Sequence, residues 1–159
     1  MKNLIFIAVA LMACSCKPET KAPGAQPAEM TPIEAAYISP DAFKQMNLPF
    51  SQVVKYGNVL YLSGQLGNLP GTTELVEGGI GPETIQTMEN IKAVLKANNS
   101  SMDQVIKCTC MLADMADWPA MNAEYSKFFP NNKPARSALG ASGLALDARV
   151  EIECMAYVE

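Results

Sequence analysis

Arg136 and Glu151 are the residues of this chain whose types and spacing best suit chemistry. A guanidinium is planar, always charged and makes paired hydrogen bonds to a carboxylate. A glutamate beside a cleft can orient a water or hold a proton. Arg136 follows Pro134 at the mouth of one short strand, and Glu151 and Glu153 share one face of the next strand, fifteen residues on from Arg136. Without a partner these carboxylates should face water. At a cleft, the arginine and glutamate could hold a small anionic acid and handle one water. Taken alone, such a pair is more often a structural salt bridge. The chain has no histidine. That removes Ser–His, Cys–His and His–metal mechanisms, because nothing else titrates unperturbed near neutral pH.

Five cysteines stand at 14, 16, 108, 110 and 154. A zinc site without histidine needs three or four thiolates, and there is no CxxC pair, so no metal is expected. Cys108 and Cys110 lie two apart on one strand face and are poorly placed to bridge each other. Buried small hydrophobes is the favoured reading. A bridge from Cys108 or Cys110 to Cys154 stays open.

These residues need elements to hold them. Ser51 to Tyr56 and Asn58 to Gln65 read as a hairpin about Gly57-Asn58. Asn68 to Gly81 reads as loop. Pro82 to Asn98 is helical, with Ile85, Met88, Ile91 and Leu95 on one stripe and Glu83, Gln86, Glu89 and Lys96 mostly elsewhere. Val105 to Leu112 is an apolar strand. Asp117 can cap a second helix with Pro119 in its first turn, and Met121, Tyr125 and Phe128 continue its inner face. Ser137 to Ala141 and Arg149 to Tyr157 are strands; in the latter Val150, Ile152, Cys154, Ala156 and Val158 point one way. The order β-β-α-β-α-β-β predicts an α+β sheet with two helices on one face.

The 159 residues suit one domain with a real core. Lys2 and the apolar run Leu4 to Met12 read as a secretory signal over 1–13. The run is about 13 Å long as a helix, too short to span a bilayer. Leu11-Met12-Ala13-Cys14 resembles a bacterial lipobox, so Cys14 is expected to carry lipid. Residues 14–36 would then be a flexible tether, 37–159 the domain, and the location the outer membrane or periplasmic face of the envelope. Formal charge is -4; losing Lys2 with the leader leaves 11 positive against 16 negative groups, or -5. With no basic block, tight binding to nucleic acid is not expected.

Six motifs then occur in order: Leu48-Pro49-Phe50-Ser51-Gln52, Leu62-Ser63-Gly64-Gln65, Thr87-Met88-Glu89-Asn90-Ile91, Asn122-Ala123-Glu124-Tyr125, Pro134-Ala135-Arg136-Ser137 and Val150-Glu151-Ile152-Glu153. Together, over about Ala36 to Glu159, they strongly resemble the Rid (reactive intermediate deaminase, formerly YjgF) family. The resemblance implies a chorismate-mutase-like α+β fold, with a mixed sheet of six or so strands and two helices on one face. It implies a homotrimer with sites between subunits, no cofactor, and hydrolysis of enamines and imines of amino acids to 2-oxo acids and ammonia. In that reading Arg136 grips the substrate carboxylate and Glu151 orients the attacking water. Phe50 stands where deaminating members often have tyrosine and so loses a polar role. Ser63 and Asn122 line the pocket. Ala138 replaces a reactive cysteine of many members, so thiol regulation there should not apply. The bland alternatives are that Ser63 closes a strand-end turn, Asn122 is a helix-surface amide, Gly64 permits close backbone packing at a strand end, Trp118 packs under the second helix, and Tyr125, Phe128 and Phe129 are core or interface. The competing function is a non-catalytic trimeric binding protein for small carboxylates or amino acids. Ribonuclease activity, attributed to some relatives, is disfavoured by the acidic charge; a purely structural trimer is the remaining option.

Overall fold

Gly57 sits at φ 60°, a left-handed conformation that costs glycine little. It turns the chain between β2 (Val53–Tyr56) and β3 (Val59–Leu62), which pair antiparallel with Val53 opposite Leu62. This is the expected hairpin, trimmed at its outer ends. The computed structural model of the protein describes residues 32–159. The leader over 1–13, Cys14, Cys16 and the tether as far as residue 31 lie outside the described residues.

Two elements were not expected. A strand β1 (Ala35–Ile38) pairs antiparallel with β2, starting two residues before the domain boundary expected at 37. A short exposed helix α1 (Asp41–Gln45) follows it. The rest are α2 (Ile80–Ala97), β4 (Val105–Leu112), α3 (Trp118–Tyr125), β5 (Ala135–Gly140) and β6 (Val150–Tyr157). They form one six-stranded mixed sheet of order β1-β2-β3-β6-β4-β5. Only β4 and β5 run parallel; α3 is the crossover between them. The α+β class with two longer helices against one face stands as the sequence implies.

The core is the alternate-residue face of the strands. Leu60, Cys108, Cys110, Leu112, Val150 and Ile152 are fully buried there, against Met88, Ile91 and Leu95 of α2 and Met121 of α3. The predicted alternation of β6 is observed, with Val150, Ile152, Cys154, Ala156 and Val158 all buried.

Three local expectations are corrected. Ile85 does not join the buried stripe of α2; it is 42% exposed, and Thr84 and Thr87 are buried instead. They can be, because their hydroxyls donate to the Ile80 and Glu83 carbonyls at 2.7 and 2.8 Å. Glu83, expected on the outer face, is also buried. Its Oε1 accepts from the backbone N–H of Arg149 at 2.7 Å and of Val150 at 3.3 Å. Asp117 does not cap α3 with its side chain. It pairs with Arg149 at 2.7 Å, while Asp114 accepts from the Ala116 N–H at 2.9 Å in the turn before it.

The cysteine alternatives resolve as well. Cys108 and Cys154 are directly opposed on β4 and β6, with Cα atoms 4.2 Å apart, and are joined in a disulfide. Cys110 is a buried free thiol. Among the described residues no cluster of three or more His, Cys, Asp or Glu could hold a metal, and no helix is long and apolar enough to cross a membrane.

Candidate active site

Arg136 projects from β5 onto the helix-covered side of the sheet. Its backbone lies opposite Cys108, whose side chain is in the core. There α3 receives it. One guanidinium nitrogen (Nη1) donates to Asn122 Oδ1 at 2.8 Å. The guanidinium carbon lies 4.8 Å from the centre of the Tyr125 ring and 5.7 Å from that of Trp118. Both are within reach of a cation–π contact. Arg136, half-buried, lines a cavity of about 290 Å³ with Asn122, Tyr125, Ser126, Phe129 and Lys133. Among the described residues no carboxylate pairs with Arg136, so its charge is held by an amide and two aromatic faces. The structural salt bridge that composition alone favours is not made.

Glu151 projects from β6 on the other side. It is opposite Met111 of β4, one of the residues that alternate with the buried Cys108, Cys110 and Leu112. Its carboxylate lies over Gly64, where a β-carbon would come within 2.7 Å of the Glu151 carboxyl carbon. Gly64 follows Ser63, whose hydroxyl donates to the Ser51 carbonyl at 2.7 Å. Phe50 precedes Ser51, is half exposed, and packs edge-on against Phe43 with ring centres 5.8 Å apart. Burial raises the Glu151 pKa, and the like charge of Glu153 two residues on adds to it.

Of the five residues expected in the site, Arg136 and Asn122 are in contact, Ser63 and Glu151 both adjoin Gly64, and Phe50 packs on Phe43 and is joined to Ser63 only through the Ser51 carbonyl. Arg136 and Glu151 lie at β4 positions three residues apart, on opposite sheet faces, so they do not meet within one chain. The separation along the strand alone is roughly 10 Å. Ser63 does close a strand-end turn, though its oxygen can still accept a bond. Asn122 is not a free surface amide.

Three contributors were missed: Tyr125, read as core or interface, Trp118, read as packing under the second helix, and Gly64, read as close packing at a strand end. A signal existed for the first. Trp118, Asn122 and Tyr125 are spaced i, i+4, i+7 and so share one stripe of α3. Burial also raises the pKa of the Tyr125 hydroxyl, and it pushes the Cys110 thiol up to about 11, where it is inert.

Residues 41–158 match the profile of the family described as Endoribonuclease L-PSP. The chain belongs to that family. A RutC family protein of Pyrococcus horikoshii is 46% identical over 111 residues, which are 70% of this chain and 88% of that protein. A 2-iminobutanoate/2-iminopropanoate deaminase of Dermatophagoides farinae is 41% identical over 111 residues, 70% and 87% of the two chains. The crystal structure of RidA from an Antarctic Psychrobacter superposes with a TM-score of 0.66 at 38% identity, covering 70% of this chain and 89% of that one. Endoribonuclease L-PSP family membership thus agrees with the Rid motifs and with the six-stranded mixed sheet.

Proposed function

We propose that the protein hydrolyses enamines and imines of amino acids to 2-oxo acids and ammonia, in a homotrimer whose sites join Arg136 of one protomer to Glu151 of the next. The carrying observation is that Arg136 is held without an acidic partner in a cavity of about 290 Å³. An uncompensated guanidinium suits a small carboxylate, and close relatives carry imine deaminase names. Trimer formation is supported by the sheet's uncovered face. Tyr61, Leu139, Met155 and Tyr157 project there and are 36–46% exposed, an apolar surface of the kind that pairs with another chain.

Arg136 takes the substrate carboxylate. Glu151, ionised, accepts a hydrogen bond from a water and turns its lone pair toward the imine carbon. As the C–O bond forms, one water proton passes to Glu151 and from it to the nitrogen that receives the C=N π pair. The carbinolamine hydroxyl proton then moves to nitrogen by the same carboxylate, the C–N bond breaks, and ammonia leaves as C=O forms. An enamine such as 2-aminoacrylate first gains a proton at its terminal carbon. The imine carbon is already electrophilic, so docking, water placement and charge stabilisation suffice without histidine. Ser63 and Phe50 flank the Glu151 side; Phe50 can stack but donates no hydrogen bond.

The reading extends to location: Lys2, the apolar run and Cys14 support export and lipid anchoring in the cell envelope. A Cys14→Ala chain that still fractionates with membranes overturns that part.

Freshly generated 2-iminobutanoate tests the activity. The full chain should accelerate its hydrolysis, and Arg136→Ala should lower kcat/KM by roughly 30- to 4000-fold, the usual effect of removing one partner of a buried charge contact. Equal rates for Arg136→Ala and the parent overturn the mechanism. Binding of 2-oxobutyrate by calorimetry without imine turnover replaces it with a capture protein.

A further inference from the structure

Arginine in a binding cleft is a flexible side chain unless something fixes it, and an acidic residue that fixes it also neutralises it. The arrangement around Arg136 fixes without neutralising. Asn122 Oδ1 takes one guanidinium hydrogen at 2.8 Å. The Tyr125 ring face lies under the guanidinium carbon at 4.8 Å and the Trp118 ring at 5.7 Å. All three come from one stripe of α3. Tyr125 is 6% exposed, and its hydroxyl is buried with no hydrogen-bond partner. A buried hydroxyl without a partner is a burden to the fold, so Tyr125 contributes here through its ring face and not through its oxygen.

We propose that Tyr125, with Asn122 and Trp118, forms a neutral cradle that positions the Arg136 guanidinium and leaves its full charge facing the substrate carboxylate. Tyr125 is a positioning residue in this scheme: it acts through the Arg136 guanidinium. The inference rests on the deaminase reading for its kinetic consequence, but the cradle itself is a property of the free protein. It makes a prediction that a packing role does not. Asn122→Asp keeps the shape and the hydrogen bond and adds an ion pair, so a structural role predicts unchanged or improved behaviour. A neutral cradle predicts the reverse for function, because the new carboxylate competes with the substrate's own.

Side-chain 15N NMR of Arg136 in the full chain, read beside kinetics on 2-iminobutanoate, separates the cases. In the parent the guanidinium resonances should be ring-current shifted and slow to rotate. Tyr125→Leu should lose both features and raise KM by about 5- to 30-fold, the range of a desolvated cation–π contact. Its kcat should change far less. Tyr125→Phe should restore the NMR features and KM together. Asn122→Asp should raise KM at least about tenfold with no loss of Tm, and neither variant should add to the defect of Arg136→Ala. Unshifted parent resonances, or a Tyr125→Leu protein with the parent's NMR features and KM, overturn the cradle. An intact cradle in a parent that hydrolyses no imine leaves the cradle standing and overturns the deaminase reading instead.

Discussion

Gly64 and Glu151 show how closely one residue can depend on another's missing atoms. The Glu151 carboxylate occupies the space a Gly64 side chain would take. Gly64→Ala should therefore displace the carboxylate and cost about 10- to 100-fold in kcat/KM on 2-iminobutanoate, as misplacement of a reacting group does. Unchanged kinetics in a folded Gly64→Ala chain would remove Glu151 from the mechanism. The raised pKa of Glu151 gives a second handle, because burial and Glu153 both disfavour its ionised form. A water-orienting carboxylate must be ionised, so activity should fall on acidification with a midpoint above the usual glutamate value of about 4.3. Glu153→Gln should lower that midpoint without restoring it fully, since burial is the larger cause. The stability effect has a defined sign. An acid whose pKa is raised by folding contributes stability below its unfolded pKa and loses it as pH rises through the folded value. Glu151→Gln, a neutral isostere, should thus melt above the parent at neutral pH, and the gap should close below the ordinary carboxylate range.

Between the elements, side chains that sequence patterning misassigns carry the joints. Glu83 looks like an outward helix residue by its charge, yet its carboxylate ties the first turn of α2 to the start of β6. Gly67 leaves room for its stem, since a β-carbon there would collide with the Glu83 Cγ. Glu83→Ala would leave two backbone N–H groups short of an acceptor, and each such loss costs about 1–3 kcal/mol. A fall in unfolding free energy of about 2–6 kcal/mol in urea is expected, with Glu83→Gln intermediate. A change under 0.5 kcal/mol would mean water replaces the carboxylate. What the sequence made legible follows the same division. The strict alternation of β6, the Gly57 turn and the long α2 are written in local period and backbone freedom, and the structure has them all. The strand β1 reads only AAYI in a polar stretch, so its identity comes from pairing with β2 and not from its own residues. The Cys108–Cys154 link likewise depends on the register of β4 and β6, which no local signal sets. At the site, Arg136 and Glu151 were legible as residue types in family motifs. Their placement on opposite faces was not, because it follows from strand order.

At the scale of the whole molecule that placement has a consequence for how activity is counted. A site made of Arg136 and Glu151 from one chain is not available in this fold. In the proposed homotrimer, a closed ring repeating a single head-to-tail contact, each site would take its arginine from one protomer and its glutamate from the neighbour. Arg136→Ala and Glu151→Gln homotrimers should then both be strongly impaired, because every site in each lacks one group. Unfolding the two variants together at equal amounts and refolding them gives mixed rings. A site in such a ring works only when a Glu151→Gln chain, which keeps its arginine, sits before an Arg136→Ala chain, which keeps its glutamate. Random mixing satisfies both conditions at about one site in four, so mixed protein should recover about a quarter of the parent's imine hydrolysis. Refolding either variant alone should recover no more than its own residual rate. Recovery near zero in verified mixed trimers would require both groups to act from one chain, and that result would contradict the register of β4 with β5 and β6 as well as the shared site. Leu139→Glu gives the matching control on assembly. A charge on the uncovered face should favour monomers by sedimentation, retain the far-ultraviolet spectrum of the folded chain, and abolish activity, although neither Arg136 nor Glu151 has been touched.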